Sequence, residues 1–409
     1  MDKAAHNVSQ EKAGQRSPGN ARRARRAVSA ATFFLLVTLC AADSALARDR
    51  THTGRLDGAP KVVAHEPSVS AEAAVLIDVD SGRILYEKAP DHRMRIASLT
   101  KIVTGWIAVR SGKLDQVVSV SQNAARQEGS SIYLVPGERQ TLRNLTYAMM
   151  LRSGNDAATA IAEFLAGSTE HFAAEMNRQV RELGLTHSHF TNPHGLDNPQ
   201  HYSTARDMAV ITRSALQNPL FHRIVSTKYH TMPWPGEKWE RKLRNKNKLL
   251  WMMPGADGVK TGYTRKSGRC LASSATRDGH QVVLVVLRDG NDWVDSIRLL
   301  TYGLTAYERR NVAQWVHREY RAKVRYGVAQ SVLLVPRGRL VYPLHRDETA
   351  AIVDHVGRLR TLAAPVRPGQ LAGYVEYRLH GQTIGRLPLV AAGEVKAKGL
   401  FGRLRELFF

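Results

Sequence analysis

Cysteine is almost missing from this sequence: Cys40 and Cys270 are the only two among 409 residues. Cys40 falls in a segment expected to be removed on export, which leaves Cys270 alone and excludes an internal disulfide. The fold must rest on packed cores. A long apolar run is missing too, since AVSAATFFLLVTLCAA (27–42) falls short of the ~20 residues that a spanning helix needs. No segment repeats at solenoid periods, and no nucleic-acid motif accompanies the formal net charge of +23. The basic residues are spread along the chain, which points to an anionic lipid or wall polymer as partner and away from nucleic acid.

What is present reads as globular: 43% of residues are hydrophobic and 7% aromatic, enough for one or two cores and too balanced for disorder. Arg22, Arg23, Arg25 and Arg26 precede the apolar run, and Ala45-Leu46-Ala47 follows it, the pattern of a signal peptide over residues 1–47. Export follows from that reading. Its alternatives are an uncleaved anchor and, more weakly, a lipoprotein through Cys40, where Leu39 stands in place of a small residue. A twin-arginine signal fits the flanking residues poorly.

Residues 48–68 are polar and patternless, and predict a flexible segment. AAVLIDVD (73–80), a turn at Gly82 and ILYEK (84–88) predict a hairpin. Apolar residues at helical spacing then predict helices over 99–110, 141–152, 155–166, 168–183, 203–216 and 292–304, with strands at 268–275 and 280–287. This is an α/β arrangement with a helical insertion over 69–310. Beyond it, 315–392 breaks into short β runs that predict a small β-rich domain. In residues 395–409, Leu400, Phe401, Leu404, Leu407 and Phe408 share a helical face beside Lys396, Lys398, Arg403 and Arg405, the composition of an interfacial helix on an anionic membrane.

Three short motifs carry chemistry. In IASLTK, Ser98 and Lys101 stand three residues apart on one helix face and can meet in a cleft. Serine needs a base to become a nucleophile, and a lysine serves only when burial, a neighbouring cation or a helix dipole lowers its pKa. Alone this pair means little, because roughly one such spacing arises by chance in a chain of this length. SGN (Ser153, Asn155), in a loop just after a helix, and KTG (Lys260, Thr261, Gly262), before the next strand pattern, change that judgement. The ordered set is far rarer than any member, and it accompanies acyl-serine chemistry.

With FTNPHGL (190–196), HYSTARDMA (201–209) and DGVKTGYT added, the chain from about Val69 onward resembles the serine D-Ala-D-Ala carboxypeptidases, the low-molecular-mass penicillin-binding proteins of the S11 peptidase type. The resemblance implies a transpeptidase/β-lactamase-like domain, an antiparallel sheet with helices plus a helical lobe, followed by the β-rich domain. It implies that Ser98 attacks the bond between two D-alanines of a peptidoglycan stem peptide and Lys101 takes its proton. Ser153 would relay the proton to the leaving amine, Asn155 would hydrogen-bond the peptide, and Lys260 would support the site electrostatically. Thr261 would bind the terminal carboxylate, assisted by Lys246, and the N–H groups of Ser98 and Tyr263 would form the oxyanion hole beside Gly262. Relatives often carry His where Tyr263 stands. No cofactor or metal is implied, β-lactams would inhibit, and the protein would be periplasmic, held at the outer face of the inner membrane by its tail.

Two other functions share these motifs. A class A β-lactamase would carry an E-x-x-L-N string between the second and third motifs, and none occurs. A catalytically silent wall-binding relative would need only the β-rich domain. The crowded His187, His189, His194 and His201 suggest a metal site, but a stretch so rich in Asn, Pro and Gly reads better as turns held by hydrogen-bonding histidines. Cys270 reads as strand packing.

Overall fold

The structure, a computed structural model, describes residues 66–399 apart from His317. The expected signal peptide, nearly all of the 48–68 segment and residues 400–409 of the expected tail lie outside the described residues. The strand Ala73–Asp78 is buried at every position, which is possible only when both faces of a sheet are covered. It pairs antiparallel with Ile84–Lys88 on one side and His280–Leu287 on the other. Gly268–Arg277 and Ala256–Thr264 complete a five-stranded sheet in which Ala256–Thr264 is an edge.

Alternation along the strands divides the core. Ala73, Val75 and Ile77 face a helical lobe together with Leu99, Ile102 and Val103. Ala74 and Leu76 face the opposite way, toward Leu299 and Leu300 of the helix Asp292–Ala306. The lobe holds Lys101–Arg110, Leu142–Arg152, Asn155–Ala166, Thr169–Glu182 and Ala205–Leu216, each within about two residues of its expected span. Three of these start on a side-chain cap, with Thr141, Ser168 and Thr204 accepting from Asn144, His171 and Asp207 N–H. Each such cap stabilises its helix by about 1 kcal/mol.

Four features differ from the sequence reading. Lys260, Thr261 and Gly262 lie inside the edge strand Ala256–Thr264 and not ahead of a strand. Helix Pro219–Ser226 and the pair Tyr229–Met232 with Arg241–Arg244 were not anticipated. Tyr307–Asn311, placed by the sequence in the first domain, pairs with Val341–His345 of the β-rich region. Residues 395–399 are extended where an interfacial helix was expected, because Val395 and Ala397 bridge Val366 and Gly327.

The β-rich region forms a six-stranded sheet around its own core, including Val366, Val375, Tyr377 and Leu389. Arg83, on the turn of the first hairpin, ties it to the catalytic sheet: its guanidinium donates to Pro343 O at 2.6 Å and to both carboxylate oxygens of Glu348. The fold class is therefore the expected one, an antiparallel sheet with a helical lobe followed by a β-rich domain.

Candidate active site

Ser98 lies in a 3₁₀ turn, Ala97–Thr100, that runs directly into the helix Lys101–Arg110. The turn is strained. Ala97 takes φ 46°, a left-handed value that costs a non-glycine residue on the order of 1 kcal/mol. Packing holds it there: a Cβ at Gly195, itself at φ 87°, would stand 1.9 Å from Ala97 O, so only glycine lets the FTNPHGL loop press against this turn. Thr100 Oγ1 donates to Ala97 O at 2.8 Å and sits 2.8 Å from His201 Nε2. His201 Nδ1 accepts from Thr191 N–H at 3.1 Å, which fixes the proton on Nε2. Burial lowers the His201 pKa to about 4, so the ring is neutral in this role.

Lys101 is completely buried. Its Nζ lies 3.0 Å from Ser98 Oγ, 2.7 Å from Asn155 Oδ1 and 2.6 Å from His194 O. All three partners are oxygen acceptors, so Nζ is held between Ser98, Asn155 and His194. Desolvation, then the charges of Lys260 and Lys246, push its pKa well below the ordinary value. Ser153 caps the helix Leu142–Arg152 in a left-handed conformation, φ 67°, and its hydroxyl donates to Ser98 Oγ at 3.0 Å.

Asn155 opens the next helix, and its carboxamide is engaged at both ends, since Nδ2 donates to Glu128 O at 2.5 Å while Oδ1 takes Lys101. In this structure it holds the lysine and is not among the residues that line the cleft. Asp156, which the sequence reading passed over, anchors the neighbouring loop by accepting from Ser131 Oγ at 2.6 Å and Ile132 N at 3.0 Å. The wall it shapes brings Ser130 toward Lys246, whose Nζ is 3.3 Å from Ser130 Oγ.

The edge strand closes the other side. A Cβ on Gly262 would lie 3.0 Å from Ile96 O and 3.2 Å from Ser98 N, so glycine is what lets the strand approach the nucleophile turn. Ser98, Ser153, Lys246, Thr261, Gly262 and Tyr263 all line one cleft of about 540 Å³. Lys260 sits behind it, 2% exposed, with its pKa lowered to about 7 by burial and then by Lys246. Its Nζ donates to Thr261 O at 2.7 Å. Lys248, Arg269, Asp292 and Trp293 also line the cleft; no motif in the sequence marked them.

The histidine-rich loop is drawn into this support. His194 supplies the carbonyl that holds Lys101, and its ring accepts from Leu196 N–H at 3.2 Å. Cys270 is buried in the sheet, and desolvation raises its thiol to about 11, a packing residue far from nucleophilic character.

The pattern for D-alanyl-D-alanine carboxypeptidase, Peptidase S11, matches residues 61–291 of this chain. The chain belongs to that family. The pattern for the penicillin-binding protein 5 C-terminal domain matches residues 313–397. Among curated relatives, the D-alanyl-D-alanine carboxypeptidase DacF of Bacillus subtilis is 31% identical over 357 residues, covering 84% of this chain and 90% of the relative. DacA of Escherichia coli is 34% identical over 366 residues, covering 83% and 87%. Penicillin-binding protein 5 from Haemophilus influenzae superposes with a TM-score of 0.66 at 32% identity, over 81% of this chain and 99% of that one. The Streptomyces K15 DD-transpeptidase superposes at 0.56 with 32% identity, over 59% and 99%. This S11 peptidase is thus a serine-type D-Ala-D-Ala carboxypeptidase, a hydrolase of cell-wall peptides.

Proposed function

We propose that Ser98 is the acylated nucleophile and that the substrate is the terminal D-Ala-D-Ala bond of a peptidoglycan stem pentapeptide. One observation carries this reading: Ser98 Oγ lies 3.0 Å from both Lys101 Nζ and Ser153 Oγ, in an open cleft. Ser98 Oγ adds to the carbonyl carbon as its proton passes to Lys101. The C–N bond then breaks, the departing D-alanine nitrogen receives that proton through Ser153, and an ester remains on Ser98. Water adds to the ester, and the shortened peptide leaves as a carboxylic acid with Ser98 restored.

Backbone N–H groups of Ser98 and Tyr263 would stabilise the oxyanion, a contribution of about 3 kcal/mol per donor in comparable sites. Thr261 and Lys246 face the cleft and suit the terminal carboxylate, while Lys260 acts from behind as a second cation that keeps Lys101 deprotonated. These are side-chain and backbone functions, and no cofactor enters the scheme. A β-lactam would enter the same cycle and stop at a long-lived ester. Benzylpenicillin is expected to add one drug mass to the intact protein for minutes, mapping after proteolysis to the peptide that holds Ser98, alongside D-alanine release from a stem pentapeptide. Fast drug hydrolysis without an adduct would indicate a β-lactamase, and neither signal would indicate a silent wall-binding protein.

The protein is further proposed to be exported and attached to the outer face of the inner membrane. Supporting this are the charged and apolar leader and the amphipathic tail. Because Val395 and Ala397 bridge Val366 and Gly327 of the β-rich region, the tail is tested by removing residues 400–409 only. Binding to anionic vesicles in a flotation assay is expected to be lost; undiminished binding would sink the anchor.

A further inference from the structure

The β-rich domain carries a cleft of about 490 Å³, lined by Arg358, Arg360, Arg378, Arg386, Glu376 and Tyr374 among others. It lies apart from the Ser98 cleft and shares no lining residue with it. Three adjacent strands build its floor. His355, Glu376 and Arg386 are cross-strand partners in one row over Ile352–Val356, Leu371–Leu379 and Gln382–Ala391. Alternation turns Val375, Tyr377 and Leu379 into the domain core, and leaves Tyr374, Glu376 and Arg378 on the outer face.

The charges do not balance. Arg378 and Arg386 share the single carboxylate of Glu376, at 2.7 and 2.9 Å. Arg358 and Arg360 are exposed and have no acidic partner among the described residues. Beside them Tyr374 is 49% exposed and Leu371 37% exposed, an apolar surface at the rim of a cationic cleft. Guanidinium forks match carboxylates in bidentate geometry, and an exposed ring next to them gives a flat face for a sugar or an aliphatic stem.

We propose that this cleft is a second binding site for the wall polymer itself, taking a carboxylate-bearing glycopeptide strand while the Ser98 cleft trims a stem of the same polymer. The identity of the polymer rests on the peptidoglycan reading above. Charge complementarity selects it: every uncross-linked stem ends in a carboxylate, and the cleft offers a surplus of guanidinium groups. A second contact of this kind raises the local concentration of stems at the catalytic cleft without touching the chemistry.

The test compares the double variant Arg358→Glu/Arg360→Glu with Arg337→Glu/Arg339→Glu, which reverses the same number of exposed arginines elsewhere on the domain. Neither pair has a charged partner to lose among the described residues, and thermal unfolding checks that both fold. The first pair is expected to lower retention on isolated peptidoglycan sacculi by about ten-fold or more, the size of losing charge-assisted contacts. The second pair should change retention little, and both should hydrolyse a soluble pentapeptide at the parent rate. Amidating the carboxylates of the sacculi should abolish the parent's retention. Ser98→Ala should retain it in full, so failure of the acyl-serine scheme and failure of this site give different results. Equal losses from both pairs, or none from the first, would overturn the site. So would loss of anionic-vesicle binding by the first pair with sacculus binding intact, which would make it a lipid site.

Discussion

Ser98→Ala is expected to reduce kcat/KM for D-alanine release on the order of 10⁶-fold and to eliminate the benzylpenicillin adduct. No neighbouring group can replace it. Ser153 Oγ reaches Ser98 but is not a hydrogen-bond partner of Lys101, whose Nζ is taken by Ser98, Asn155 and His194. A water molecule in the vacated space could be activated by Lys101, yet it would release product without an acyl-enzyme, and the mass adduct distinguishes the two routes. Ser98 is half-buried at the cleft, so water readily replaces its hydroxyl as the acceptor for Ser153, and the melting temperature should scarcely move. An adduct that persists in the variant, or a loss in rate under ten-fold, would remove Ser98 from the mechanism.

Lys101→Met is expected to cost about 10²- to 10⁴-fold in acylation rate, the range for a positioned general base. Methionine fills similar space but leaves Asn155 Oδ1 and His194 O without their buried donor, which adds a stability loss of about 1–3 kcal/mol. Acylation by benzylpenicillin, measured in a single turnover at a temperature where the variant is folded, separates the two effects. The pH dependence gives a sharper check. Burial and the charges of Lys260 and Lys246 lower the Lys101 pKa, so the active, neutral amine forms as pH rises through a value well below the usual 10.5. Acylation should therefore climb on an acid limb at that lowered value, and Lys260→Met should move the limb upward by removing a neighbouring cation. A limb that stayed put in Lys260→Met, or one near the ordinary lysine value, would contradict this account of the base.

How far the sequence reveals the site depends on where the information lies. Ser98, Lys101, Ser153 and Thr261 are local signals, residue types at short spacing in three motifs, while Lys246 is reached only through the family resemblance; the structure gathers all five within one region. The long helices are legible for the same reason, as with Phe172, Met176 and Val180 on one face of Thr169–Glu182. The strand Ala256–Thr264 is not, because two glycines and a buried lysine break the alternation by which strands are recognised. Those same residues shape the site: Gly262 allows the close approach to Ser98, and Lys260 is buried behind the cleft. Asn155 shows a different limit. Its place in the motif was visible, but whether its carboxamide faced the cleft or Lys101 depended on Glu128 O, nearly thirty residues earlier. Ser130, Asp292 and Trp293 reach the cleft only through tertiary folding, and no local spacing announces them.

The pairing of Tyr307–Asn311 with Val341–His345 bears on how this molecule can be divided. A catalytic fragment ended at residue 310, where the pattern of the sequence invites a cut, would keep the first four residues of the Tyr307–Asn311 strand and discard its partner. Its row of N–H and C=O groups would be open to a second molecule, the usual route to edge-to-edge aggregation. Arg83 would lose Glu348 by the same cut. Ending the fragment at Ala306, the last residue of the helix Asp292–Ala306, removes the orphan strand altogether, so the difference between a soluble and an insoluble catalytic domain lies in four residues.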